Sequence, residues 1–219
     1  MENTTPEPSK AEPGPKVIGL TGGIGSGKST VAKIIETIGY PVYYSDVRAK
    51  EIVNEDPFLK EKIIEIFGSE AYDENGYYNR KFISGIVFND NNLLERLNET
   101  IHPAVKLDFK NWTEKQTSDM VFKETALLFE LKLHKRCDKT ILVTADDNLR
   151  IKRVMDRDDK TYREVEAVMD NQMAEKDKIK KADFTIYNNG SIEELETETH
   201  AVISELITAF EKEGKAENA

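Results

Sequence analysis

Residues 22–29 have the residue types and spacing of a loop that binds phosphate groups. They read Gly-Gly-Ile-Gly-Ser-Gly-Lys-Ser and match the pattern G-x-x-x-x-G-K-S/T at every fixed position, between a predicted strand and a predicted helix. The glycines allow a tight turn that points backbone N–H groups inward at the positive end of the helix. Lys28 would bring a positive charge to the β- and γ-phosphates, and the Ser29 hydroxyl is a candidate ligand for Mg²⁺. We therefore predict a site for a nucleoside triphosphate with Mg²⁺, because a plain glycine turn explains neither Lys28 nor Ser29.

The use made of the triphosphate depends on other residues, because the same loop serves kinases, GTPases and motor or partition ATPases. The sequence lacks an Asn-Lys-x-Asp guanine reader, and its one obvious D-x-x-G string, at 73–76, follows no predicted strand, which argues against a GTPase. A kinase needs a carboxylate near the γ-phosphate that accepts the proton of the acceptor hydroxyl. Asp46 is a candidate because it follows a predicted strand, at the sheet edge where open α/β folds bind ligands. Asp46 or Ser45 could equally cap the next helix.

The residues around these groups alternate between strand and helix patterns, which predicts an α/β fold with a parallel sheet covered by helices on both faces. A helix follows the phosphate loop from Lys28 to a stop at Gly39, and another runs from Ser191 to about Lys212. The predicted strands are residues 16–21, 42–44, 120–125, 139–144 and 184–187.

The composition limits the environment and the partners of the protein. A formal net charge of −10 over 219 residues argues against a general nucleic-acid-binding protein, which needs Lys and Arg to neutralise phosphates. No run approaches the roughly 20 apolar residues of a membrane-spanning helix. Cys137 is the only cysteine and cannot form an internal disulfide, so we expect a reducing compartment, by default the cytoplasm. The oligomeric state stays open between a monomer and a weak oligomer.

Composition and pattern also divide the chain into segments. Residues 1–15 contain four prolines and no apolar stretch, so we expect a flexible tail, and the residues from about Gly214 onward have the same character. The other predicted segments are a core of residues 16–56, 118–147 and 182–213, a helical insertion of residues 57–117, and a lid of residues 148–181.

Several separated motifs resemble those of the dephospho-coenzyme A kinase family. The phosphate loop is similar to the family's loop almost letter for letter, including Thr21 before it, and Asp46 falls on the second aspartate of an Asp-Ala-Asp signature. Residues 127–130, Leu-Leu-Phe-Glu, match the family's Pro-Leu-Leu-Phe-Glu. Further matches follow in the same order at residues 79–80, 86–88, 101–103, 153, 157–158, 172, 181–183 and 188–190. The departures are Tyr44 and Ser45 in the aspartate signature, Ala126 in place of the proline, and Val168 in place of a lid arginine.

The resemblance implies a P-loop NTPase core with a helical insertion that binds the acceptor and a helical lid. It implies transfer of the γ-phosphoryl group of ATP, with Mg²⁺, to the ribose 3′-hydroxyl of dephospho-coenzyme A, giving coenzyme A and ADP. Asp46 would be the general base, while Lys28, Arg157 and Arg153 would stabilise the transferred group. The expected nucleotide-binding residues are Thr21, Gly23, Ile24, Gly25, Ser26, Gly27, Lys28, Ser29, Thr30 and Asn188. The expected acceptor-binding residues are Asp46, Arg80, His102 and Glu130.

Charged and polar residues outside the loop also have structural interpretations. His102 could cap or pack, and residues 188–190 could be an ordinary turn rather than the edge of an adenine pocket. Glu130 could orient water around Mg²⁺, bind a lid arginine, or be an ordinary charge at a helix start. The run 176–181 is expected to be mostly solvated. The lid cations could form a phosphate-binding face or a solvated one, and they are Arg150, Lys152, Arg153 and Arg157.

The helical insertion, residues 57–117, is the segment in which a rival kinase would differ. Its apolar residues at helical spacing are expected to form a core rather than a ligand surface, and they include Phe82, Phe88, Leu94 and Ile101. A rival kinase acting on a nucleoside, nucleotide or sugar acid would share the loop and lid but differ in this insertion. A binding or partition ATPase would hydrolyse ATP without a small-molecule acceptor.

Overall fold

The computed structural model describes residues 14–88 and 90–217, and the tail predicted at residues 1–15 lies outside them except for its last two residues. The described residues form a five-stranded parallel sheet in the order β2-β3-β1-β4-β5. Its strands are β1 Lys16–Thr21, β2 Val42–Tyr44, β3 Met120–Glu124, β4 Lys139–Thr144 and β5 Phe184–Tyr187. The α/β fold class is confirmed, and β3 ends one residue before the predicted bound while the other strands match.

The register of the central strands brings the ends of β1 and β3 together. Leu20 on β1 lies opposite Glu124 on β3, and the Thr125 amide donates to the Leu20 carbonyl at 3.0 Å. Because parallel strands end at the same edge of a sheet, the loop after β1 and the residues after β3 become neighbours there. The phosphate loop therefore starts beside the segment that begins at Glu124.

Two long helices cover one face of the sheet. Helix α1, Lys28–Ile38, buries Val31 and Ile35 against the strands and ends at Gly39, whose φ of +111° suits glycine. Helix α9, Ile192–Glu217, adds Leu195, Val202, Ile203 and Leu206 to the same core. The prediction that the last helix ends near Lys212 is wrong, because Glu, Lys and Ala are good helix formers and one internal glycine costs only about 1 kcal/mol.

The segment between β2 and β3 is helical and has its own apolar cluster. Its helices are α2 Ser45–Glu55, α3 Pro57–Phe67, α4 Arg80–Val87 and α5 Asn91–Thr113. Asp56 caps α3 by accepting from the Phe58 and Leu59 amides, and Asp90 caps α5 in the same way. The cluster includes Ile52, Leu59, Ile63, Ile83, Leu97 and Val105, together with Tyr43 of β2. This cluster fixes α2 and α5 relative to the sheet.

Two of the residues predicted for the core of this segment are exposed. Phe82 and Ile101 pack against the cluster, but Phe88 is 86% exposed and Leu94 is 39% exposed. Phe88 lies just beyond the end of α4, and Leu94 lies in the first turn of α5. Helical spacing predicts which face is apolar, but it does not predict where that face extends past its neighbours.

The segment between β4 and β5, in which the lid of residues 148–181 was predicted, contains three helices. They are α6 Asp147–Asp158, α7 Tyr162–Asp170 and α8 Glu175–Ile179. Helix α6 ends at Asp159, which has a left-handed φ of +52°, and α7 starts with a capping box of Thr161 and Glu164. Ile151, Val154 and Val165 pack with Ile24 of the phosphate loop. Within residues 14–88 and 90–217, no helix has the length and apolar character needed to cross a membrane.

Candidate active site

The phosphate loop has the backbone shape that its glycines predict. Gly25 and Gly27 adopt left-handed φ values of +77° and +91°. A side chain on Gly25 would also collide with the Arg150 carbonyl, and one on Gly27 would collide with the Asn188 amide group. Both positions therefore require glycine for conformation and for space. The loop ends directly in α1, so its N–H groups lie at the positive end of that helix.

Lys28, the first residue of α1, forms a nearly buried ion pair with Glu124 at the end of β3. Burial lowers the pKa of Lys28 to about 8, and the negative charge of Asp46 opposes this shift. Glu124 was not among the residues predicted for the site. The sequence feature that could have identified it is an acidic residue at the end of a strand that otherwise is mostly apolar. In P-loop proteins a carboxylate on a neighbouring strand shares Mg²⁺ with the loop hydroxyl, so Glu124 and Ser29 are candidate ligands.

A cavity of about 480 Å³ lies over the phosphate loop. Its wall contains loop residues from Gly22 to Thr30, together with Ala126, Arg153, Arg157 and Gln172. Buried Nη1 of Arg153 has no hydrogen-bond partner among the described residues, while Nη2 donates to Asn188 at 3.3 Å. Arg157 is exposed and donates twice to Asp158, at 2.7 Å each. Both arginines thus face the cavity in which the loop would hold phosphates.

Three polar side chains form hydrogen bonds with the backbone of the phosphate loop. Arg150 is only 3% exposed, donates through Nε to the Ile24 carbonyl at 3.0 Å, and pairs with Glu175 at 3.1 Å. Gln172 accepts from the Ile24 amide at 3.1 Å. Asn188 donates to the Ser26 carbonyl at 2.8 Å. Of the two predicted roles of the lid cations, Arg150 therefore has neither: it is not solvated, and its guanidinium group contacts the Ile24 carbonyl and Glu175 and so holds the loop in place.

Asp46 lies in the first turn of α2 and lines the larger of two cavities, next to a residue that lines the other. The Ala126 amide donates to Asp46 Oδ2 at 3.2 Å, and the Thr125 hydroxyl donates to Oδ1 at 3.4 Å. Ala126 lines the cavity over the phosphate loop, whereas Asp46 and Thr125 line a larger cavity of about 800 Å³. Helix α2 has no side-chain cap, so the capping interpretation of Asp46 is wrong.

The larger cavity lies between α5 and the sheet. His102 and Phe109 of α5 line one side, and Val17 and Lys123 of the strands line another. Burial lowers the pKa of the His102 imidazole. The cavity is well within the range of about 300–1,000 Å³ of small-molecule sites. Its position next to Asp46 suits a second substrate that meets the first at this carboxylate.

Comparison with known proteins identifies the family of this chain. The sequence model of one family, described as dephospho-CoA kinase, matches residues 16–194. The chain belongs to the dephospho-CoA kinase family. A dephospho-CoA kinase from Fusobacterium nucleatum is 40% identical over 179 residues, which are 82% of this chain and 92% of that relative.

Solved structures similar to this dephospho-CoA kinase family member extend over almost the same length. The crystal structure of TT1252 from Thermus thermophilus is 35% identical with a TM-score of 0.79, covering 89% of this chain and 99% of that one. A dephospho-CoA kinase from Campylobacter jejuni is 27% identical with a TM-score of 0.59, covering 87% and 96%. The similarity to these solved structures therefore extends over most of the chain.

Some residues suggested by the family resemblance lie away from both cavities. Arg80 is exposed at the start of α4 and lines neither of them. Glu130 accepts from the Met173 amide at 3.0 Å and lies 3.6 Å from Lys178 Nζ, so its partner is a lysine rather than a lid arginine. Lys178 is fully buried, whereas Lys176, Lys180 and Lys181 are exposed, so the expectation of a mostly solvated run holds with this one exception. Thr21 is also buried, and its hydroxyl donates to the Ala126 carbonyl at 3.4 Å.

Proposed function

We propose that this protein transfers the γ-phosphoryl group of MgATP to the ribose 3′-hydroxyl of dephospho-CoA, producing CoA and ADP. Membership of the family supports this reaction. The observation that carries it is the position of Asp46, which lines the larger cavity and accepts from the amide of Ala126, a residue of the cavity over the phosphate loop. A donor in one cavity and an acceptor in the other would meet at this carboxylate.

The cavity over the phosphate loop binds ATP. Loop amides from Gly23 to Lys28 and the Lys28 ammonium group hold the β- and γ-phosphates, because both are positive and lie at the start of α1. The oxygen donors of Ser29 and Glu124 fit the hard-ligand preference of Mg²⁺. Mg²⁺, when bound, neutralises negative charge on the β- and γ-phosphates.

The larger cavity binds the acceptor, with its ribose 3′-hydroxyl at Asp46. The hydroxyl oxygen attacks the γ-phosphorus, Asp46 takes the hydroxyl proton, and the bond to the β–γ bridging oxygen breaks. Lys28, Arg153 and Arg157 stabilise the charge that moves onto the phosphoryl and leaving oxygens. Closure of the lid helices over the loop excludes water, which would otherwise hydrolyse ATP. The lone Cys137 fits a reducing, cytoplasmic location for this reaction.

The test is ADP release from MgATP with dephospho-CoA, beside a panel of nucleosides, nucleotides and sugar acids. We expect dephospho-CoA to stimulate ADP release far more than any other acceptor, and the product to carry its new phosphate on the 3′-oxygen. Strong stimulation by another member of the panel would favour a different kinase. Rapid ADP release without an acceptor would favour a binding or partition ATPase.

A further inference from the structure

The larger cavity is lined by three positive side chains that form no ion pair with the described residues, namely Lys106 of α5 together with Lys123 and Arg136. Lys123 projects from β3, and Arg136 lies in the 3₁₀ turn Leu133–Arg136. In the part of the chain that the structure describes, neither side chain forms an ion pair. Lys123 Nζ instead lies 4.3 Å from the centre of the Phe109 ring. Lys110, another cation of this cavity, differs because Glu114 offsets its charge at 3.5 Å.

The pair is electrostatically unfavourable in the absence of an anion. Burial lowers the pKa of Lys123, the neighbouring Cys137 opposes this shift, and the positive charge of Arg136 contributes a smaller lowering. The Phe109 ring compensates only in part, because a cation–π contact is weaker than a charge-assisted hydrogen bond. A half-buried lysine repelled by a neighbouring arginine on a cavity wall is therefore arranged to receive a negatively charged group.

Lys123 also lies at a suitable distance from the reacting hydroxyl. Lys123 of β3 and Thr125, the first residue after it, both line the larger cavity. Their Cα atoms are roughly 7 Å apart at the usual rise per residue. The Thr125 hydroxyl contacts Asp46, where the ribose 3′-hydroxyl would react. In a nucleoside 5′-diphosphate the first phosphorus is only a few bonds from the 3′-oxygen.

We propose that Lys123 and Arg136 bind the diphosphate group of the acceptor and so select acceptors that are esters of a nucleoside 5′-diphosphate. This assignment rests on the proposed function. Lys123 supplies a point charge from the sheet, and Arg136 adds a guanidinium group from the 3₁₀ turn, with donors that match phosphate oxygens. The same contacts would discriminate against a free nucleoside, which would leave both cations without a partner.

The experiment compares steady-state kinetics of Lys123→Met, Arg136→Met and Lys135→Met with the wild-type protein. Each variant removes one positive charge, so long-range effects of net charge are matched. For Lys123→Met and Arg136→Met we expect KM for dephospho-CoA to rise about tenfold or more, as for loss of a hydrogen bond to a charged group. KM for ATP should be unchanged. Lys135 is exposed and lines neither cavity, so in Lys135→Met the KM for dephospho-CoA should change no more than about twofold.

The outcomes separate this proposal from the proposed function. A wild-type protein without dephospho-CoA-dependent ADP release would overturn both. An active wild-type protein whose KM for dephospho-CoA is unchanged in Arg136→Met, at an exposed position that should tolerate substitution, would overturn the diphosphate assignment alone. A rise in KM for ATP instead of dephospho-CoA would assign the pair to the donor, and equal effects in Lys135→Met would show that the two side chains act only through nonspecific charge.

Discussion

Replacing Arg150 with methionine should destabilise the protein and loosen the phosphate loop. Arg150 is 3% exposed and pairs with Glu175 at 3.1 Å, while its second carboxylate partner, Asp147, is largely exposed. In Arg150→Met, Glu175 would keep only Lys178 as a cation, at 3.9 Å. Removal of one partner from a buried ion pair typically costs about 3–5 kcal/mol. At roughly 2–4 °C per kcal/mol for a chain of this size, Tm should fall by about 6–20 °C.

The free energy of unfolding is measured by urea denaturation, with thermal melting as a second measure. Arg163→Met is the matched control, because Arg163 is an exposed arginine of the same lid and should change stability by less than about 0.5 kcal/mol. Adding Glu175→Gln to Arg150→Met should restore part of the loss, since the buried carboxylate is then neutral. The Ile24 carbonyl also loses its donor, so KM for ATP should rise. A loss below about 1 kcal/mol, typical of an exposed ion pair, would refute the reasoning.

Two further predictions concern the phosphate loop and its metal. Because burial lowers the pKa of Lys28 to about 8, kcat/KM for ATP should fall as pH rises through that value, as Lys28 loses its proton in the free enzyme. A decline only near the ordinary lysine pKa of about 10.4 would contradict this assignment. Glu124→Gln should raise the Mg²⁺ concentration needed for half-maximal ADP release by about tenfold or more, because a neutral amide is a poorer ligand or outer-shell partner. An unchanged Mg²⁺ dependence would contradict a role of Glu124 in metal binding, and its contact with Lys28 would then be its one remaining role.

The sequence predicts those parts of the fold that depend on short-range patterns. Buried parallel strands appear as continuous apolar runs such as residues 139–144, and β4 has the predicted bounds. The phosphate loop could be identified because each fixed position of its pattern requires a particular residue type for a known chemical role. Asp46 could be proposed from its place after a strand, but only the contact with the Ala126 amide distinguishes a site residue from a helix cap.

Contacts between distant segments account for most of what the sequence did not predict. In the sequence Arg150 and Lys178 have the pattern of surface charges, yet both are buried. Arg150 pairs with Glu175 of α8, and Lys178 pairs with Glu130, which follows β3. The surroundings of Lys123 could not be predicted either, because they are formed by Arg136 and Phe109, which belong to other segments of the chain. Spacing along one helix or strand does not contain this information, because each contact joins residues far apart in the chain.

The central claim is that Asp46 accepts the proton of the acceptor hydroxyl, and Asp46→Asn tests it most directly. Asparagine keeps the size of the side chain and an oxygen that can accept from the Ala126 amide. The decisive measurement is kcat for dephospho-CoA-dependent ADP release, with KM for ATP and the melting temperature measured on the same preparation. We predict a fall in kcat of about 100-fold or more, with KM for ATP and stability near wild type. Turnover close to the wild-type value would contradict the account.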